Sequence, residues 1–298
     1  MKEKKKDLEK VSLGIAIMFG IYWIYSIFIQ KNLNIQPIFK TIIGLVTLYV
    51  IGLFLFINIT KKIPNTNIKK SKVNGKSITL CFLLQFTAFM IMSVLVNIFA
   101  NISGQELSTD LNTLTPYMIF MLTVFNPIVE EFVFRKVFAD KLLKYGELFY
   151  MMVSSFCFAI VHGVSLGIPQ IIYTFILGMI WSYLFVKTGN IKLPILLHSL
   201  SNIFGSIIIQ TLQGISMEIT GMYSIFMMML AIIGLICFIK NKKRVELDNK
   251  NKLLDKTIIK EMFTNKGIIF YTLLTISMMI IKNIAKHWIT IYKNGSDK

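Results

Sequence analysis

The chain is predicted to be an all-α protein, a polytopic transmembrane helical bundle with an eight-helix core and a ninth, C-terminal span. Three observations lead there. Hydrophobic side chains make up 55% of the 298 residues and the mean hydropathy is +0.66, above the roughly 45–50% apolar content of a soluble domain. The excess falls in blocks nearly free of charge, most of them about 17 residues or longer, enough to cross a hydrocarbon core of about 30 Å. The basic residues sit between those blocks, in alternate loops.

Taken in order, the expected spans are 11–28, 41–59, 78–99, 117–138, 148–161, 170–186, 193–211, 223–239 and 267–284. Each must be a helix, because a backbone in lipid has to pair its own polar groups. Residues 1–10 form a basic tail with Lys2, Lys4, Lys5, Lys6 and Lys10. The second loop carries Lys61, Lys62, Lys69, Lys70, Lys72 and Lys76, and Arg135, Lys136, Lys141 and Lys144 cluster at the end of the fourth span. The loops at 100–116, 163–169 and 212–222 hold no Lys or Arg. The positive-inside rule then places the N-terminus in the cytoplasm, and nine spans put the C-terminal tail outside. The weak fifth span is kept because the alternation needs it. The transmembrane core is 11–239, the polar stretch 240–266 is a basic cytoplasmic linker, and 267–298 is an extra helix with its tail. No internal repeat or pair of matching broken helices suggests an inverted-repeat transporter.

A net charge of +17 raises nucleic acid as a partner, but the Lys residues lack the interleaved aromatics of such a site. Anionic lipid is the expected partner, in a multi-pass protein of the cell membrane. Arg135 and Arg244 are the only Arg residues, and Ile and Asn are abundant, which hints at an AT-rich bacterial genome. Cys81, Cys157 and Cys237 are scattered through apolar blocks and read as packing residues. No cleaved signal peptide and no prenylation box are expected.

Ionisable residues inside a span cost about 2.5–3.5 kcal/mol each and suggest function by default. Here they group. The fourth span holds Glu130, Glu131 and Arg135, the fifth ends in His162, and the seventh holds His198 and Asn202. His287, the third of three His residues, follows the last span beside Trp288 and reads as interfacial. Glu131 and Arg135 are four apart and share a helical face, so they form a structural ion pair. Glu130 points about 100° away around the helix, off the face that holds Arg135. A carboxylate so placed in a desolvated setting suits a general base. Pro127 removes a helical hydrogen bond and should kink the span near Glu130. Taken singly, His162 would be a buried His bonded to a neighbouring helix, and His198 with Asn202 interhelical glue.

Taken together, Glu130-Glu131-x-x-x-Arg135, Phe158-x-x-x-His162 and His198-x-x-x-Asn202 resemble, in order, the three motifs of the CPBP family. That family, also called Abi, includes type II CAAX prenyl proteases and bacteriocin-processing or immunity proteins. The resemblance covers about residues 117–211. It implies intramembrane endopeptidase activity, with Glu130 activating a water and His162, His198 and Asn202 orienting that water or stabilising the oxyanion. The cofactor stays open. Glu130, His162 and His198 could hold Zn²⁺ with a position left for water, or a metal-free, Glu-activated water could suffice. Asn is an uncommon zinc ligand, which tilts the expectation to the metal-free form. The expected substrate is a peptide precursor or another membrane protein. The alternatives are a non-catalytic bacteriocin immunity or regulatory protein, and a transporter using Glu and His as a proton relay.

Depth along the spans does not close. Counting 1.5 Å per residue, His198 lies about 8 Å from the cytoplasmic side, Glu130 about 12 Å and His162 about 21 Å. Either the fifth helix is short and submerged, or 132–147 dips into the membrane.

Overall fold

The computed structural model describes residues 2–68, 70–71, 74–103, 114–241, 247 and 256–296, with the side chains of 165–166 and 285–296 left aside. Among the described residues every regular element is helical. Among these same residues, nine helices are long and apolar enough to span a membrane. They are α1 (Lys2–Asn32), α2 (Pro37–Thr60), α3 (Gly75–Ile102), α4 (Pro116–Tyr145), α5 (Glu147–Val164), α6 (Ile168–Thr188), α7 (Lys192–Gln213), α8 (Met217–Asn241) and, after a short helix α9 (Lys256–Phe263), α10 (Lys266–Ile284). The backbone of α10 continues helically to Ser296. The chain is therefore the all-α, multi-pass bundle expected of it. The side chain of His287 and residues 242–246 and 248–255 of the 240–266 linker lie outside the described residues.

One boundary differs in a way that matters. Helix α4 does not end near 138 but runs on to Tyr145. Its last two turns are charged, which lowers their hydropathy, yet Phe138, Ala139 and Leu142 are fully buried there. Lys136 and Asp140, four apart, close an ion pair along the flank. The helix stops at Gly146, whose φ of +114° is open to glycine and strained for any side chain, and α5 starts at the next residue.

The chain divides into two compact units. The first comprises Met1–Thr66, Ile160–Ile171 and Asn251–Lys298. In it α1 packs against α2 and α10 through Val11, Ile15, Phe56, Ile268 and Tyr271, all fully buried. Glycine permits the closest crossing: a Cβ on Gly267 would stand 2.6 Å from the Glu9 carbonyl oxygen. The Asn265 side-chain amide donates to the Lys5 carbonyl (2.9 Å), and Lys4 pairs with Glu261. The last helix is thus fastened to the first.

The second unit comprises Asn67–Ala159 and Ile172–Lys250. It holds α3, α4, α7 and α8 with the larger parts of α5 and α6. Helices α3 and α8 meet where a Cβ on Gly234 would be 2.7 Å from the Leu83 carbonyl oxygen, and the Thr87 hydroxyl donates to the Ala231 carbonyl at 2.9 Å. Small residues and short polar links are what bind helices where lipid gives no hydrophobic drive. Helices α4 and α5 are tied by hydroxyl donors: Tyr150 to the Arg135 carbonyl at 3.2 Å and Ser154 to the Phe134 carbonyl at 2.5 Å.

Candidate active site

The second unit gathers the polar residues of α4 and α7 around one imidazole. On α4 a short α-helical stretch, Asn126–Glu131, lies between two wide turns with i→i+5 hydrogen bonding, Met121–Phe125 and Phe132–Val137. Such insertions recur at functional sites because they re-aim side chains without breaking the helix. Pro127 explains the first of them. Its missing N–H is absorbed where the helix is already widened, so α4 stays continuous. A third wide turn, Ile203–Ile207, follows Asn202 on α7.

His198 is 4% exposed. Its Nδ1 lies 3.0 Å from Glu131 Oε1. Glu131 is an acceptor when ionised, so Nδ1–H donates, and the Nε2 lone pair of the neutral ring is left to face elsewhere. It faces Glu130: Nε2 and Glu130 Oε2 are 3.8 Å apart, beyond direct hydrogen bonding. Glu130 keeps 19% of its side chain accessible, whereas Glu131 has none. The adjacent carboxylates are thereby separated in role by the helix that carries them.

Glu131 is held from its other side. Its Oε2 is 2.9 Å from Arg135 Nε, with both side chains wholly buried. This is a close ion contact rather than a directed hydrogen bond, since neither atom meets hydrogen-bond geometry. The guanidinium also lies 4.8 Å from the Phe158 ring centre and 5.4 Å from that of Trp181, and aromatic faces of this kind attract a desolvated cation. Trp181 stacks on the His198 ring at 4.3 Å and 20°, and Phe158 meets it edge-on at 5.9 Å. Trp181 and Phe158 thus line the site; Phe158 stands in the second sequence motif, whereas Trp181 belongs to none of the three. The Trp181 indole N–H in turn donates to Gln85 Oε1 at 3.0 Å.

Asn202, one turn beyond His198, donates from Nδ2 to the Leu122 carbonyl at 2.7 Å. That carbonyl sits in the wide turn before Pro127, so Asn202 ties α7 to the widened part of α4. His162 is half-buried on α5, one turn beyond Phe158, where the helix has passed from the second unit into the first. Among the described residues, no three His, Cys, Asp or Glu side chains gather so as to hold a metal ion. Glu130 and His198 face each other there as a pair, with Oε2 and Nε2 3.8 Å apart.

Residues 112–204 match the family model described as type II CAAX prenyl endopeptidase Rce1-like. This segment is similar to that family over those residues. It contains Glu130, Glu131, Arg135, His162, His198 and Asn202, the residues of the three motifs. The chain is 32% identical over 171 residues to "Membrane-embedded CAAX protease MroQ" of Staphylococcus aureus (strain USA300), an alignment covering 50% of this chain and 66% of that protein. It is 29% identical over 96 residues to YdiL of Bacillus subtilis (strain 168), a proposed membrane peptidase, covering 32% of this chain and 38% of the relative. In both cases the chain spans less than two thirds of the relative's own length. No solved structure matches it. Gln85 lies outside the matched segment 112–204 and Trp181 inside it.

Proposed function

We propose that this chain is an intramembrane endopeptidase that cleaves a membrane-associated protein or peptide precursor with a water activated by Glu130. The observation that carries the reading is the 3.8 Å gap between Glu130 Oε2 and His198 Nε2, two acceptors held by a buried scaffold. One water can donate an O–H to each. Its lone pairs then point away from both, toward the space a scissile carbonyl would take. Glu130 accepts a proton as the water oxygen bonds to the carbonyl carbon, and passes that proton to the amine as the C–N bond breaks. The second Nδ2 hydrogen of Asn202 is assigned to the oxyanion, and a part in orienting the water or stabilising the oxyanion is what the motif resemblance implies for His162. Glu131 and Arg135 stay out of the chemistry and fix the tautomer of His198. The reading needs no metal. Chelator treatment of the purified protein is expected to leave its rate unchanged, and a loss restored by Zn²⁺ would place a metal between Glu130 and His198.

MroQ carries CAAX protease in its name; for this chain the substrate class is a peptide precursor or membrane protein of a bacterial plasma membrane. The N-terminus is assigned to the cytoplasm. The test is mass spectrometry of peptide N-termini in cells making wild type or Glu130→Gln at matched levels. Termini that vanish with Glu130→Gln are expected. Identical termini in both would sink the protease reading and leave a non-catalytic regulatory or immunity role.

A further inference from the structure

We infer that Gln85, on α3 and outside the segment 112–204 that matches the family, is a positioning residue that sets the angle of His198 through Trp181. The inference rests on the protease reading for its effect on rate, and on geometry alone for its effect on the imidazole.

His198 needs two constraints to keep Nε2 aimed at Glu130. Glu131 supplies one, in the plane of the ring, by holding Nδ1 at 3.0 Å. A single in-plane bond still leaves the ring free to rock about that bond. The second constraint is the indole of Trp181, stacked at 4.3 Å and only 20° from parallel. Stacking is a broad attraction, so an indole slides easily over its partner unless something pins it. The pin is Gln85, whose Oε1 accepts from Trp181 Nε1 at 3.0 Å. Trp181 and Gln85 are 1% and 4% exposed, so an indole N–H that lost this acceptor would have no water at hand and would turn to find another.

The chemistry of the residue fits the task. A Gln in an apolar stretch of α3 is costly unless its amide is used, and here one end is. Its carbonyl oxygen serves Trp181, while Nε2 has no hydrogen-bond partner; the residue borders a recess also lined by Tyr173, Ser201 and Phe204. The amide is therefore oriented by its acceptor end. The same indole lies 5.4 Å from Arg135, so displacing it disturbs both supports of His198. Misplacing a catalytic group by about 1 Å can cost about a hundredfold in rate.

The experiment uses the full chain in detergent, with ¹⁵N-labelled His and 5-fluorotryptophan. Three His and three Trp give few signals, and His198→Gln and Trp181→Phe assign the two that matter. Gln85→Met, which keeps the shape and removes the acceptor, is expected to shift the Trp181 fluorine resonance and both His198 nitrogen signals. Gln85→Glu, which keeps an oxygen there, is expected to restore them. With the peptide identified by the Glu130→Gln comparison as substrate, Gln85→Met should lower kcat about ten- to a hundredfold and change KM less than about twofold. In a Trp181→Phe background it should add nothing further. His198 signals unmoved by Gln85→Met, or losses from Gln85→Met and Trp181→Phe that simply add, would overturn the inference. If no peptide emerges because the protease reading fails, the His198 signals decide alone.

Discussion

Arg135 and Glu131 form an ion contact with no exposed surface, and what that does for the protein follows from the cost of separating them. A buried pair contributes little over a well-packed apolar substitute, but removing one member leaves a bare charge and costs about 3–5 kcal/mol. Glu131→Gln should therefore lower the thermal midpoint of the purified protein sharply, because Arg135 is left with only the faces of Phe158 and Trp181. Glu131→Gln combined with Arg135→Met should recover most of that loss, since no charge remains to be matched. The amide that replaces the carboxylate still offers His198 Nδ1 an oxygen, so cleavage should return in part. Recovery of neither would mean that the pair serves something other than holding the imidazole. The sequence made this pair legible through its four-residue spacing. It could not disclose that Glu131 faces His198, because contacts between helices distant in sequence follow from packing and not from periodicity. Gln85 and Trp181 were hidden for the same reason: an amide and an indole in apolar spans look like filler until their hydrogen bond is seen.

At the scale of elements, two features of the backbone place the site. One is the close approach of α5 and α6, where a Cβ on Gly178 would lie 2.9 Å from Ser155 Cβ and 3.0 Å from its Cα. Trp181 is one turn along α6 from that crossing. Gly178→Leu should force the helices apart, destabilise the protein by about 1–3 kcal/mol and draw the indole off His198, so cleavage should fall further than the loss of folded protein explains. The other feature is the widened stretch of α4 before Pro127. Pro127→Ala restores an N–H and lets 121–127 tighten toward a regular helix, which turns Glu130 relative to α7 and withdraws the Leu122 carbonyl from Asn202. A fall in cleavage of at least about tenfold with a nearly unchanged melting temperature is expected; equal activity would show that the wide turn is incidental. The helices themselves were readable from hydropathy, and their ends were not. The charged final turns of α4 hid its extension to Tyr145, and from that error came the counted mismatch between Glu130 and His162. These two are equally far along the chain from Gly146, one before it and one after, whereas His198 still counts as shallower than Glu130 and meets it through packing that a count along helices does not see.

For the whole molecule, the number of crossings decides on which side each terminus lies. Nine helices among the described residues meet the length and apolarity that crossing requires, and an odd number puts the termini on opposite faces. The Lys-rich tail and the basic run after α8 argue for a cytoplasmic N-terminus. The last helix carries this argument, because without it the count is even. Its apolar stretch, Lys266–Ile284, is long enough to span, and it packs along α1 through Gly20, where a Cβ would meet Leu274 at 3.3 Å, and through Gly267. A helix packed along a spanning helix from its first turn to its middle shares its depth there, so α10 should cross wherever α1 does. The expected result is an N-terminal tag cut by protease only after lysis and a C-terminal tag cut in intact spheroplasts. Both tags protected in spheroplasts would mean that α10 lies along the cytoplasmic surface or re-enters it. Gly267→Leu offers a second check on the same argument. It drives a side chain into the Glu9 backbone, so if α10 depends on α1 for insertion, the C-terminal tag should become protected while the N-terminal tag does not change.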